Sequence, residues 1–242
     1  MPNEVVGSVL FQSKYVRARL RWRSNCTPMT KLFSILAILF LSLVTAGAAE
    51  QDTVNRCASI IHDFRQMPER GIPRDVLRRS KGLAIMTVVK AAFIFSGKGG
   101  QGVVVARTRH GWSGPSFIGT GGAGWGLQIG AQVTDFVIVL NNDRAVRAFS
   151  RGGNVTIGAD VSAAAGPVGR TAEGAVAPTA AVYTYSKSKG LFAGVSLEGA
   201  VIAAQRDSNF RYYGRPVRAD EILMGLVPPP PGAAPLRRTL GH

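Results

Sequence analysis

The chain has 242 residues, 46% hydrophobic and only 18% charged, a balance that argues against wholesale disorder and leaves room for one large domain or two small ones. Its 29 glycines, spread through apolar runs, argue against long helices and for a β-rich fold with tight turns and close backbone approaches. The formal charge of +15 favours anionic partners such as acidic lipid headgroups, actin or nucleic acid, although solubility accounts for a basic surface equally well.

Five of those net charges fall in residues 1–31, where Lys14, Arg17, Arg19, Arg21, Arg23 and Lys31 face only Glu4. Leu32 to Val44 is almost entirely apolar, and Ala46, Gly47, Ala48 and Ala49 follow it. A basic flank, a short apolar run and an Ala-x-Ala site describe a secretory signal peptide cleaved after Ala48. The run is short for a membrane span; an uncleaved anchor extending to Ala49 is the alternative. Met29 stands directly before it, so residues 1–28 read either as a gene-model extension or as a long basic leader. Residues 1–48 are therefore expected to be a targeting segment and 49–242 the domain. Cleavage would leave Cys57 as the one cysteine, without a disulfide partner and suited to a helix face.

Val54, Cys57, Ala58, Ile61 and Phe64 recur at helical spacing, with Arg56, Ser59, Asp63 and Arg65 on or near the other side, which predicts an amphipathic helix over Asp52 to Phe64 with Asp52 as its N-cap. Core packing is the ordinary use of such a helix; membrane insertion is the functional one. A second short helix is expected over Pro73 to Ser80, where Asp75 suits the positive end and Arg78, Arg79 and Lys81 the negative end.

From Leu83 the pattern turns to strands: Leu83 to Val89, Ala92 to Phe95, a turn over Gly97 to Gly102, and a return through Val103 to Ala106. Arg109 to Gly111 reads as another turn. Leu127, Ile129, Ala131 and Val133 alternate with smaller or polar residues, predicting a strand with that set buried. Phe136 to Leu140 is a continuous apolar strand and Asn142 to Phe149 a short helix. Val155 to Ser162 alternates as a strand, while Ala181 to Tyr185 and Leu191 to Leu197 form a hairpin around Ser186 to Gly190. Pro228 to Pro231 reads as a stiff extended segment in a proline-rich tail. The interstrand gaps are too short for crossover helices, so the fold class is α+β: a single glycine-rich domain dominated by antiparallel sheet, with an N-terminal amphipathic helix and short helices.

Gly97 to Gly102 and Gly119 to Gly124 both fit G-x-G-x-x-G, but strands follow both, whereas a pyrophosphate site needs a helix N-terminus. No Gly-Lys pair precedes Ser or Thr, the three histidines are scattered, and Ser196 lacks the glycine that a nucleophile elbow requires. A non-enzymatic domain without cofactor or metal is expected.

Ile72-Pro73, Ser80-Lys-Gly-Leu-Ala84 and Val88-Val-Lys-Ala91 resemble the first block of the SYLF family, a lipid-binding and actin-binding module. Trp112-Ser-Gly-Pro-Ser116 and Gly126-Leu-Gln-Ile-Gly130 with Asp135 resemble its centre. Asn154-Val-Thr-Ile-Gly158, Gly166-Pro-Val-Gly-Arg170, Tyr185 to Gly194 and Ser196-Leu-Glu-Gly199 resemble later blocks, and Tyr213-Gly214 with Ile222-Leu223 its close. The resemblance implies binding of phosphoinositides or other anionic phospholipids, with actin filaments as the alternative partner, an envelope scaffold as a further alternative, and no nucleic acid. It nominates Val54, Ile61 and Phe64 as the bilayer-facing side of the first helix. Arg74, Arg78, Arg79, Lys81, Lys90 and Lys98 are nominated as headgroup contacts. Members with a soluble start work in the cytoplasm, whereas the apolar segment before Asp52 implies export to the periplasm or cell envelope. Membrane anchoring and a cytoplasmic membrane surface are the alternatives, and export favours lipid over actin.

Overall fold

In a computed structural model, described over residues 49–67, 71–167, 180–190 and 200–241, helices flank one glycine-rich sheet. The targeting segment expected over 1–48 and the second strand of the hairpin expected after Gly190 lie outside these residues. Ser42–His242 forms one compact unit.

The first helix, α1, spans 49–66. Its apolar stripe faces inward: Val54, Cys57, Ile60, Ile61 and Phe64 are all at most 5% exposed. Asp52 lies inside the helix rather than capping it. The preceding turn is held helical by Glu50, whose Oε1 accepts from Arg211 Nη2 at 2.6 Å and Nε at 2.9 Å, and by Thr53, which donates to the Ala49 carbonyl. Helix α2, Arg74–Arg79, begins after Pro73, whose fixed φ suits a helix entry.

Two long strands carry the architecture: β1, Gly82–Thr108, and β3, Ser116–Leu140, joined through the turn at Arg109–His110 and the two-residue β2, Gly111–Trp112. They pair antiparallel from Gly82↔Leu140 to Val104↔Ser116, with a register shift between Phe93 and Phe95. The turn expected at Gly97 to Gly102 is instead extended strand paired with the 118–123 stretch of β3. The ribbon as a whole doubles back, bringing the two limbs of β1 side by side. Arg107 N–H donates to the Lys81 carbonyl at 2.8 Å. At Gly102 an added Cβ would sit 2.0 Å from the Ile85 carbonyl oxygen, so only glycine allows the limbs to approach this closely. The same alternation serves both limbs: Leu83, Ile85, Val103 and Val105 join one apolar cluster, while Ala84, Met86, Val104 and Ala106 join the other.

Among the described residues the sheet has seven strands in the order β2-β1-β3-β6-β5, with β6 at Val182–Gly190 and β5 at Ala163–Ala165; β7, Val201–Ala204, bridges β3 and β4, Asn154–Thr156. Among the described residues every pairing between strands is antiparallel except β5 with β6, as expected of an α+β fold of this kind. The strand expected over Val155 to Ser162 stops at Thr156: Gly158, at φ +98°, turns the chain, and Ile157 and Val161 meet only as an isolated bridge. Near the start of the apolar part of β3 the burial is also opposite to expectation. Gln132 is buried and Ala131 exposed, because Gln132 continues the face of Phe136, Ile138 and Leu140.

Helix α1 and the C-terminal helix α6, Ala234–Leu240, cover one sheet face, where Phe64, Ile61 and Leu236 meet Leu83, Ile85, Val137 and Val139. Helix α3, Asp143–Ser150, covers the other through Ala145 and Phe149; it starts where the Asn142 side chain accepts from Ala145 N–H at 2.9 Å. Two more short helices, α4 at Arg206–Tyr213 and α5 at Ala219–Leu223, complete the chain before the 3-10 turn Pro231–Ala233. Helices α4, α5 and α6 are additions to the elements expected from sequence, and the expected extended segment Pro228 to Pro231 leads directly into the 3-10 turn and α6.

Candidate functional site

The cations nominated on sequence grounds divide into groups. Arg78, Arg79 and Lys81 come together at the C-terminal end of α2, where basic side chains also complement the helix dipole. They line a groove of about 950 Å³ together with Arg107, Arg109 and His110, and with Asp143 from the start of α3. Arg74 is exposed at the opposite end of α2, while Lys90 and Lys98 lie on the β1 ribbon; none of the three lines this groove.

The groove's back wall is built by Arg107. Its Nε donates to the Ser80 carbonyl at 3.2 Å and its Nη2 to the Leu77 carbonyl at 3.3 Å, so the guanidinium satisfies carbonyls at the end of α2. The same group stacks 4.5 Å from the Trp112 ring centroid, which desolvates one face of the charge without neutralising it. Arg78 pairs with Asp75 at 2.8 Å on an exposed surface, a contact worth little in water. Lys81 and Arg109 form no ion pair among the described residues. Among the described lining residues, five Lys and Arg side chains and His110 stand with one carboxylate, Asp143, while Asp75 outside the lining pairs with Arg78.

The far rim comes from the turn after α5, with Met224 and Leu226 on either side of Gly225. Arg218 stands just before α5; its guanidinium contacts Asp220 at 3.0 Å and holds that carboxyl below the usual carboxylate range, while the Glu221 side chain accepts from the Arg218 N–H at 2.9 Å. These contacts fix the helix whose last turn carries the rim.

Val54, Ile61 and Phe64, nominated as bilayer-facing, are 0%, 0% and 1% exposed. The docked helix spends its apolar stripe on the sheet and has none left for a membrane. Its polar side is fastened too: Arg56 donates to Thr87 Oγ1 at 2.8 Å, Thr87 donates to Asp135 at 2.6 Å, and Lys187 meets Asp63 at 3.0 Å. Sequence reasoning missed Arg107, Arg109 and His110, which the hairpin turn carries to the end of α2. A signal was present in three basic residues next to a glycine turn.

Residues 121–242, half of the chain, match the Ysc84 family, described as Las17-binding protein actin regulator. The chain belongs to this family. Its similarity to LAS seventeen-binding protein 3 of Saccharomyces cerevisiae is 52% identity over 174 residues, covering 70% of this chain and 38% of that protein. Human SH3 domain-containing YSC84-like protein 1 is 47% identical over 193 residues, 76% of this chain and 56% of the relative. Protein YSC84 of S. cerevisiae is 52% identical over 174 residues, 70% of this chain and 37% of its own length. The Ysc84-family chain therefore spans about half the length, or less, of the relatives it matches. The ordered motifs that resemble the SYLF family and the Ysc84 match describe the same domain, and among the relatives the name of LAS seventeen-binding protein 3 describes a binding protein.

Proposed function

We propose that this Ysc84-family domain binds anionic phospholipid membranes without catalysis, using the basic groove at the end of α2. The observation that carries the reading is the convergence of Arg78, Arg79, Lys81, Arg107 and Arg109 from two separate chain segments on one groove. A guanidinium or ammonium pairs well with phosphate oxygens, and each such residue near an anionic leaflet contributes about 1 kcal/mol. In this reading the domain acts at an envelope membrane surface, to which the apolar segment before Asp52 directs the chain.

Co-sedimentation of the Ser42–His242 unit with phosphatidylcholine vesicles, with and without phosphatidylglycerol, tests the reading. Retention is expected only on the anionic vesicles and should fall as salt rises. The combined variant Arg78→Glu, Lys81→Glu, Arg109→Glu spares Arg107, which holds α2. Three lost attractions should weaken retention about 100-fold or more. Equal binding to neutral vesicles, or an unaffected charge-reversed variant that still melts normally, would sink the proposal.

Actin-filament binding is the second reading, favoured by the family description as an actin regulator. Filament co-sedimentation of the same unit separates the two: pelleting with filaments but not with anionic vesicles supports actin over lipid.

A further inference from the structure

Helix α5 ends in a tightly specified turn. Gly225 N–H donates to the Ile222 carbonyl at 3.0 Å and Leu226 N–H to the Glu221 carbonyl at 2.9 Å, with Gly225 in the left-handed region at φ +74°. This is the hydrogen-bond pattern of a Schellman cap, in which the residue after the glycine commonly packs back on the helix. Here it does not. Leu226 is 71% exposed and Met224 57%, while their neighbours Ile222, Leu223 and Val227 are 0%, 3% and 6% exposed. The turn is anchored on both sides by core residues and holds two large apolar side chains out in water. An added Cβ at Gly225 would meet Thr108 Cγ2 at 2.9 Å, so the turn also sits tightly against the end of β1.

The surroundings say what covers this pair. On one side lies the groove of Arg78, Arg79, Lys81 and Arg109. On the other, Met224 also borders a groove of about 770 Å³ between α3, α4 and α5, where Arg147, Arg151, Arg206 and Arg218 stand with Asp207, Asp220 and Glu221 near the half-exposed Phe210. The basic groove beside the pair would repel a second copy presenting the same surface, and it matches a surface of phosphates over hydrocarbon.

We propose that the Met224–Leu226 turn is a membrane-insertion wedge that enters the interface of an anionic bilayer while the flanking arginines and lysines engage headgroups. The proposal rests on the membrane reading above and assigns the apolar contact to this turn rather than to α1. Because the wedge is braced by backbone hydrogen bonds, little conformational freedom is lost on insertion, and the domain meets the bilayer in one orientation.

Two measurements test it on the Ser42–His242 unit. The double variant Met224→Ser, Leu226→Ser should bind phosphatidylglycerol-containing vesicles about 10- to 100-fold more weakly while keeping the wild-type salt dependence, since only apolar transfer is removed. In Leu226→Cys, an environment-sensitive nitrobenzoxadiazole label should brighten on those vesicles and be quenched by brominated acyl chains. Labelling is selective because the unit's native Cys57 is 2% exposed. If the serine variant binds like wild type, or the label stays in water, while charge reversal abolishes binding, the wedge is refuted and the membrane reading survives. Wild type failing to bind anionic vesicles ends both. A dimer of the wild type dissolved by the serine pair reassigns the turn to contact between copies and likewise overturns the wedge.

Discussion

Phe64→Ala separates a core role for α1 from a membrane role more sharply than any surface change. Phe64 is 1% exposed and belongs to the cluster that joins α1 to Leu83, Ile85, Val137 and Val139. A buried phenylalanine removes about 150–250 Å² from water, and at about 25 cal/mol per Å² its full burial is worth about 4–6 kcal/mol. Alanine recovers part of that and leaves a cavity, so a loss of about 3–5 kcal/mol is expected. Against a total stability of about 5–15 kcal/mol, this is large enough to show in any unfolding experiment. Urea unfolding of the Ser42–His242 unit by circular dichroism should move to a lower midpoint with the slope unchanged, because the surface exposed on unfolding is nearly the same. Folded protein that remains should bind vesicles as wild type does. A loss below about 1 kcal/mol, accompanied by selective loss of vesicle binding, would show that the apolar face of α1 works on lipid and refute its placement in the core.

Gly102→Ala should cost about 3 kcal/mol or more, because its Cβ would meet backbone atoms of Ile85 and Met86 at 2.0 and 2.5 Å and neither can move away. Gly99→Ala on the same strand has nothing within 4 Å and should stay within about 0.5 kcal/mol of wild type; thermal melts of the pair check both. Burial pushes the Cys57 thiol up to about 12 from its ordinary 9.0. Between those values the unfolded thiol loses its proton and the folded one keeps it, so stability is full below about pH 9 and falls as pH rises toward 12, by at most about 4 kcal/mol from this group. Burial raises Tyr185 and Tyr213 in the same direction. Urea titrations across that range, compared with Cys57→Ala, isolate the thiol's share; an identical alkaline decline in both proteins would refute it. At pH 8 iodoacetamide should leave Cys57 intact until the chain is unfolded.

Local pattern was legible where one neighbour decides the outcome. The stripe Val54, Cys57, Ala58, Ile61, Phe64 could only be a helix with one apolar side, and Asn142 with Asp143 announced the start of α3. What no window of sequence holds is which surface a stripe meets: a sheet face and a bilayer ask the same periodicity of α1, and only the presence of Leu83, Ile85 and Val139 beneath it selects the sheet. The alternation around Gln132 failed for a related reason, since a polar residue was assigned to water although the chain direction carries its face into the core. Helices α4 and α5 were hidden because their few buried side chains, such as Asn209 and Ile222, are fixed by tertiary partners rather than by period: Asn209 Oδ1 accepts from Phe117 N–H, far away in the chain. The groove was half visible. Arg78, Arg79 and Lys81 are adjacent in sequence, but Arg107 and Arg109 reach them only through the fold of the ribbon.

That doubled ribbon also bears on the order in which the chain assembles. Pairs such as Leu83 with Val139 lie far apart in sequence, and closing so long a loop in one step is entropically costly and slow. Yet the pairing is nested. Once Arg107 meets Trp112 at the Gly111 turn, Val104 with Ser116 and then Gly100 with Thr120 each close only a short additional loop. When the zipped hairpin folds over on itself, both limbs of β1 and their β3 partners arrive together. A sheet made of remote contacts can therefore be reached as a succession of near ones, beginning at a turn whose glycine, at φ +95°, is suited to make it.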